Sequence, residues 1–311
     1  MIRFDNVTRK YGKKVAVAGL DLTIPAGELF AFLGPNGAGK TTSVKLLVGL
    51  LRPNTGTVSV CGHDTVADTR QATQFLGYVP DRAFLYDKLS GREHLEFVGE
   101  MRGLDRKQTA AAVALVSGQF GLSEFLDDLT ETFSHGMKQR LVFASALLHD
   151  PPVLVVDEPM VGLDPKSARL VKDLLRARAS AGKTVFMSTH TLAVAEEIAD
   201  RIGVIDRGRL IFLGTQDKLA RELSAGKRSL EQLFLQLTAE SEGRPGQPAR
   251  SQTARSQTAP EAPALPGGVP EAAVSETGLS RAAGSEGPLP EPSLPDGAVP
   301  ESSLPEGDPA D

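Results

Sequence analysis

The chain has 311 residues, 41% of them hydrophobic and 23% charged, with a formal net charge of −5 and a single cysteine, Cys61. This length accommodates a large buried core, and a lone cysteine excludes an internal disulfide. The start Met1-Ile2-Arg3-Phe4-Asp5 has no apolar stretch like a secretory signal, and nowhere do about 18 apolar residues follow one another, so the sequence predicts a cytoplasmic chain that does not span a bilayer itself.

The negative charge is unevenly spread. From Ala239 onward there are 12 Asp and Glu against 4 Arg, which leaves 30 basic and 27 acidic residues, a balance of +3, in residues 1–238. The same stretch holds 13 of the 21 prolines and near-repeats such as SQTA and SLPDG/SLPEG, a composition that cannot bury enough apolar surface to offset its ordering entropy. A folded domain over 1–238 and a disordered acidic tail over 239–311 are therefore expected. A body charge of +3, without an arginine stripe or base-stacking aromatics, argues against a nucleic-acid partner.

In chain order, residues 2–10 and 14–24 read as two strands around a turn at Gly12, an antiparallel flank in which Leu20-Asp21-Leu22-Thr23-Ile24 alternates like a half-buried strand. The apolar run 28–33 reads as a buried strand. It feeds Gly34, Pro35, Asn36, Gly37, Ala38, Gly39, Lys40, Thr41 and Thr42, which match G-x-x-x-x-G-K-[ST], and a helix expected over about 41–50. Such a loop wraps backbone N–H groups around phosphates, with the positive end of the helix aimed at the anion. Lys40 would sit between the β- and γ-phosphates, and Thr41 would offer its hydroxyl to Mg²⁺.

Runs at 57–60, 75–79, 153–157, 184–188 and 202–206 are short and apolar or β-branched, and several follow helical patterns. Together they predict an α/β fold: a P-loop NTPase core with a mainly parallel sheet, the antiparallel β flank and an inserted α-helical subdomain at about 88–150. The insertion opens with a capping box at Ser90 and Glu93, and its last helix, 136–149, stops before Asp150-Pro151-Pro152. A hairpin at Arg207-Gly208 and an amphipathic helix over 229–238 are expected to close the domain.

A phosphate loop needs a second group for Mg²⁺, and the run 153–157 delivers Asp157 at the end of a buried strand. Glu158 follows and would reach the attacking water as catalytic base. At this point the residues resemble one family, the ATP-binding cassettes of ABC transporters, over 2–238. The resemblance implies that FSHGMKQRL is the signature loop, whose Ser134, His135, Gly136 and Met137 complete the ATP site of a second subunit. It also implies that VGLDP is the D-loop, with Asp164 at the interface, that His190 in STH is the switch histidine, and that Tyr11 stacks on adenine, the alternative being a ring packed beneath the turn. His63, His94, His135 and His149 show no paired metal-ligand spacing and read as structural or surface residues.

The implied function is an ATP hydrolase, with Mg²⁺ as cofactor, that pairs with an identical cassette or a close paralogue and drives a separate transmembrane permease from the cytoplasmic face. Where many cassettes carry glutamine this chain has Asp81, a weak metal candidate and a coupling residue. Phe84, Leu85 and Tyr86 beside it would form a permease groove, or else a buried cluster beneath the helical subdomain. SHGMKQR, GYVPDRAFLYDKLSGREHLEF and SLEQLFLQLT resemble the export branch of the family. The competing reading is a soluble regulatory or ribosome- or DNA-associated cassette that clamps on ATP without transport.

Overall fold

The computed structural model describes residues 2–224. The run 229–238 and the acidic stretch from Ala239 lie outside the described residues. Strands β1 (Ile2–Tyr11) and β2 (Lys14–Ile24) pair antiparallel from Ile2 opposite Ile24 to Tyr11 opposite Lys14. Next come β3 (Leu29–Leu33), helix α1 (Lys40–Leu47), β4 (Thr55–Val60) and the short β5 (His63–Asp64). β4 pairs antiparallel with β1, and β5 with β4, so the first sheet has the order β2-β1-β4-β5. The run 57–60, expected among the parallel strands, thus belongs to the antiparallel flank. Val58 and Val60 are buried while Thr57 is exposed, the period-two pattern of a sheet with one wet face.

The second sheet has the order β10-β9-β3-β8-β7-β6. β6 (Leu76–Val79), β7 (Val153–Asp157), β8 (Thr184–Thr189), β3 and β9 (Arg201–Asp206) run parallel, and β10 (Arg209–Gly214) closes the edge antiparallel to β9. β3, β7 and β8 are buried at every position, as a parallel sheet covered on both faces requires. β3 divides its side chains by alternation: Phe30 and Phe32 join the core shared with the antiparallel sheet and α1, while Leu29, Ala31 and Leu33 join the core under the other helices.

Helix α2 (Thr69–Gln74) precedes β6. Between β6 and β7 stand α3 (Gly91–Met101), α4 (Arg106–Phe120) and α5 (His135–Leu147). At the start of α3 the Glu93 backbone N–H donates to the Ser90 hydroxyl at 3.2 Å and the Ser90 N–H donates to the Glu93 carboxylate at 2.7 Å. Asp105 and Gln108 form a second capping box, on α4. After β7 come α6 (Pro165–Ser180), α7 (Leu192–Ile198) and, beyond β10, α8 (Gln216–Ser224). Among the described residues no helix is long and apolar enough to cross a membrane.

Where α5 returns to the sheet, the His149 ring nitrogen Nε2 lies 3.2 Å from the Leu76 carbonyl oxygen. Burial, helped by Arg102 and Arg178, depresses its pKa from 6.5 to about 4. Between those two values the unfolded chain binds a proton that the folded chain rejects, so stability falls as pH drops through that window. The expected loss at pH 5 is about 2 kcal/mol. Urea midpoints at pH 7 and pH 5 measure it, and His149→Gln should flatten the difference; an equal drop in the variant assigns the effect to other groups.

Candidate functional site

β3 ends at Leu33, and the chain turns through 34–39 into α1. The turn needs glycine at two points of close approach: a Cβ on Gly34 would lie 2.4 Å from the Ile205 carbonyl oxygen, and one on Gly39 would lie 2.5 Å from that of Ala16. Ala38 is buried beneath the loop and anchors it, its carbonyl accepting from the Gly208 N–H at 2.7 Å. Pro35, Asn36, Gly37, Gly39, Lys40, Thr41 and Thr42 line a cleft of about 330 Å³, joined by Tyr11, Lys14 and Ala16 of the first hairpin and by Asp81 and Glu158.

Lys40 is only 6% exposed; its Nζ donates to the Gly34 carbonyl at 2.8 Å and lies 3.3 Å from Glu158 Oε1. The other oxygen of Glu158 lies 2.9 Å from His190 Nδ1. Burial pushes the Glu158 pKa up, but His190 and Lys40 together outweigh it and hold the group below the ordinary carboxylate range. Glu158 also has a φ of +51°, a left-handed conformation uncommon outside glycine, stabilised by donation of its N–H to the Ser188 carbonyl at 3.1 Å.

Asp157 is fully buried at the end of β7. One oxygen accepts from the Ser188 hydroxyl, while Oδ2, equally buried, has no hydrogen-bond partner. Burial pushes its pKa up against the pull of Ser188; Asp81 and Glu158 push it further, and the Thr41 hydroxyl opposes them. Burial and the charges of Asp157 and Asp81 also drive the Tyr78 phenol up to about 12. An orphaned carboxylate oxygen in a negative field, beside a threonine hydroxyl, fits a hard divalent cation such as Mg²⁺. Among the described residues no group of three or more His, Cys, Asp or Glu forms a complete cage, so the cation would lean on phosphate oxygens.

Tyr11 is 45% exposed, with the Arg9 guanidinium 5.0 Å from its ring centre, so it does not pack beneath the turn. Ser134, His135, Gly136 and Met137 lie outside this cleft. Ser134 caps α5, its hydroxyl accepting from the Met137 N–H at 3.3 Å. Asp164 caps α6, accepting from Lys166 N, Ser167 N and Ser167 Oγ at 2.9, 3.0 and 2.6 Å.

Of the expected aromatic groove, Phe84 is 78% exposed and Tyr86 half exposed, joined edge-on at 5.9 Å, with Phe97 edge-on to Tyr86 at 5.7 Å. Leu85 is buried in the core under α5, so the three residues divide between surface and interior. Two contributors to the site went unread in the sequence: Ser188, which faces Asp157 across the β7–β8 register, and Lys14, which lines the cleft from β2. The sequence shows 184–188 as a strand, but not which strand it pairs with.

The ABC transporter family profile matches residues 17–161. The linearmycin resistance ATP-binding protein LnrL of Bacillus subtilis is 38% identical over 223 residues, 72% of either chain. The daunorubicin/doxorubicin resistance ATP-binding protein DrrA of Streptomyces peucetius is 38% identical over 241 residues, 78% of this chain and 73% of that protein. The Nod factor export ATP-binding protein I of Burkholderia lata is 41% identical over 218 residues, 70% of this chain and 72% of that protein. Among solved structures, an ATP-binding subunit of an ABC transporter superposes with a TM-score of 0.70 at 28% identity, covering 76% of this chain and 99% of that one. A dimeric ATP-binding cassette in a post-hydrolysis state with ADP and Pi gives 0.63 at 26% identity, covering 69% and 98%. The chain belongs to the ABC transporter family, as an ATP-binding and ATP-hydrolysing cassette subunit.

Proposed function

We propose that two cassettes meet head to tail on ATP and drive a separate membrane permease that exports its cargo. The observation that carries this reading is the one-sided cleft: Lys40, Thr41, Asp157, Glu158 and His190 converge on one end of the parallel sheet, while the Ser134 helix start lies elsewhere on the same chain. Each nucleotide would then be closed by the Ser134 loop of a facing cassette, an identical chain or a close paralogue. The dimeric cassette among the structural neighbours supports the arrangement.

In this reading the 34–42 loop cradles the phosphates and Tyr11 stacks on the adenine. Lys40 transfers its charge from Glu158 to the β- and γ-phosphates. Thr41 and Asp157, with Asp81 at greater reach, would hold Mg²⁺, which would neutralise phosphate charge. Glu158, oriented through His190, accepts the proton as water attacks the γ-phosphorus and the bond to the β-phosphate oxygen breaks. Asp164 sits at the interface. After cleavage Lys40 no longer bridges the halves, and repulsion between the products helps them part.

Export is supported by the resistance and export relatives; in this reading the chain would sit on the cytoplasmic face of the membrane, bound through its permease and without nucleic acid. Exposed Phe84, Tyr86 and Phe97 offer the permease an apolar surface, with Asp81 between it and the cleft. Asp81→Ala is expected to abolish permease stimulation of hydrolysis; undiminished stimulation removes Asp81 from coupling.

Light scattering on the full chain carrying Glu158→Gln tests the assembly. With Mg²⁺ and ATP the particle mass should double; a monomer at every nucleotide concentration rejects pairing of identical chains, and a single cassette in the native assembly as well rejects the head-to-tail pair. Recovery with ribosomes in place of membranes would favour the regulatory alternative.

A further inference from the structure

The segment between Glu158 and Asp164 joins the catalytic strand end to α6. It is tied down at both ends: the Glu158 N–H donates to the Ser188 carbonyl at 3.1 Å, and the Asp164 side chain caps α6. Inside it, Val161 N–H donates to the Glu158 carbonyl at 3.2 Å and Leu163 N–H to that of Met160 at 3.4 Å. Met160 and Leu163 lean on the core, which leaves at the crest the exposed Val161 and, after it, Gly162. Its φ of +78° is left-handed, where side chains are strained.

One side chain meets that crest. The three atoms nearest the position a Cβ would take on Gly162 all belong to the His135 ring: Nε2 at 3.2 Å, Cδ2 at 3.7 Å and Cε1 at 4.0 Å. His135 is the first residue of α5, directly after the capping Ser134. Behind the contact the two elements are separated by a cavity of about 660 Å³ that Gly136, Gln139, Leu163 and Ser167 help to line. Across this gap between two helix starts, an imidazole against a bare backbone is a strut: it is planar, has few rotatable bonds, and meets a position where a side chain would be strained and crowded.

We infer that His135 is a positioning residue whose ring, braced on Gly162, sets the spacing between the Ser134 start of α5 and the Asp164 start of α6. The inference rests on the proposed two-cassette reading, in which both helix starts face the partner cassette. Their relative placement then decides whether the two engage its nucleotide together. Binding of ATP to the chain's own cleft does not involve the strut, because neither His135 nor Gly162 lines it.

The test uses the full-length chain. His135→Gly should lower kcat and the ATP-dependent dimerisation affinity of the Glu158→Gln chain by about tenfold each, with the Kd of the monomeric chain for ATP within about twofold of the parent. His135→Gln, whose side chain still reaches toward Gly162, should restore most of the loss, which a general folding defect would not allow. Gly162→Ala should cost less in the His135→Gly chain than in the parent, since part of its cost is the clash with the ring. Hydrogen exchange supplies a readout on the isolated chain: amides of 160–164 should exchange about tenfold faster in His135→Gly. Unchanged exchange overturns the strut, and so do additive effects of the two substitutions or an unchanged kcat. If the Glu158→Gln chain stays monomeric with ATP both alone and in its native assembly, the two-cassette reading falls, and the exchange measurement still decides the contact.

Discussion

Glu158→Gln is expected to lower ATP turnover by about 10²–10⁴-fold, the range for losing a positioned general base. The amide keeps the length and hydrogen-bonding reach of the side chain but cannot take a proton from water. Glu158 suits that role because its neighbours hold it ionised: burial favours the neutral acid, and His190 at 2.9 Å with Lys40 at 3.3 Å reverses that preference. The left-handed backbone at Glu158 is as accessible to glutamine as to glutamate, so folding and nucleotide binding should survive. Phosphate release under saturating ATP measures the effect. Turnover within about threefold of the parent removes Glu158 as the base.

The largest effect on stability is expected at Phe186, on β8. Its ring lies 5.5 Å from that of Phe32, 5.7 Å from Phe30 and 6.5 Å from Phe4, and all four are buried. Phe4 belongs to the antiparallel sheet and the others to the parallel one, so this cluster fastens the two sheets together. Phe186→Ala removes aromatic surface from both sides and leaves a cavity, at a cost of about 3–5 kcal/mol. Domains of ordinary stability have only about 5–15 kcal/mol to lose. Urea unfolding of the full chain should show a markedly lower midpoint, with a smaller drop for Phe186→Leu. A loss under about 1 kcal/mol would mean that the sheets are held elsewhere.

Several features could be read from the sequence because their physics is local. A glycine-rich turn after an apolar run and before a helix is spelled out by neighbouring residues, as is the Ser90 and Glu93 cap, whose partners lie one helical turn apart. An acid at the end of a buried strand is local too, which is why Asp157 and Glu158 stood out. The family motifs added their order along the chain, which composition alone does not carry.

Tertiary structure decided what depends on partners distant in sequence. The run at 57–60 reads equally as a parallel or an antiparallel strand, and only pairing with β1 put it in the flank. Leu85 parted from Phe84 and Tyr86 because its side chain packs into the core while theirs stay exposed. Ser188 met Asp157 through the register of β7 on β8, and Lys40 reached Glu158 because β3 and β7 both flank β8 in one parallel sheet. Spacing along a chain encodes caps, turns and periodic faces, whereas register and burial are settled by packing over the whole core, where each side chain competes for the same volume.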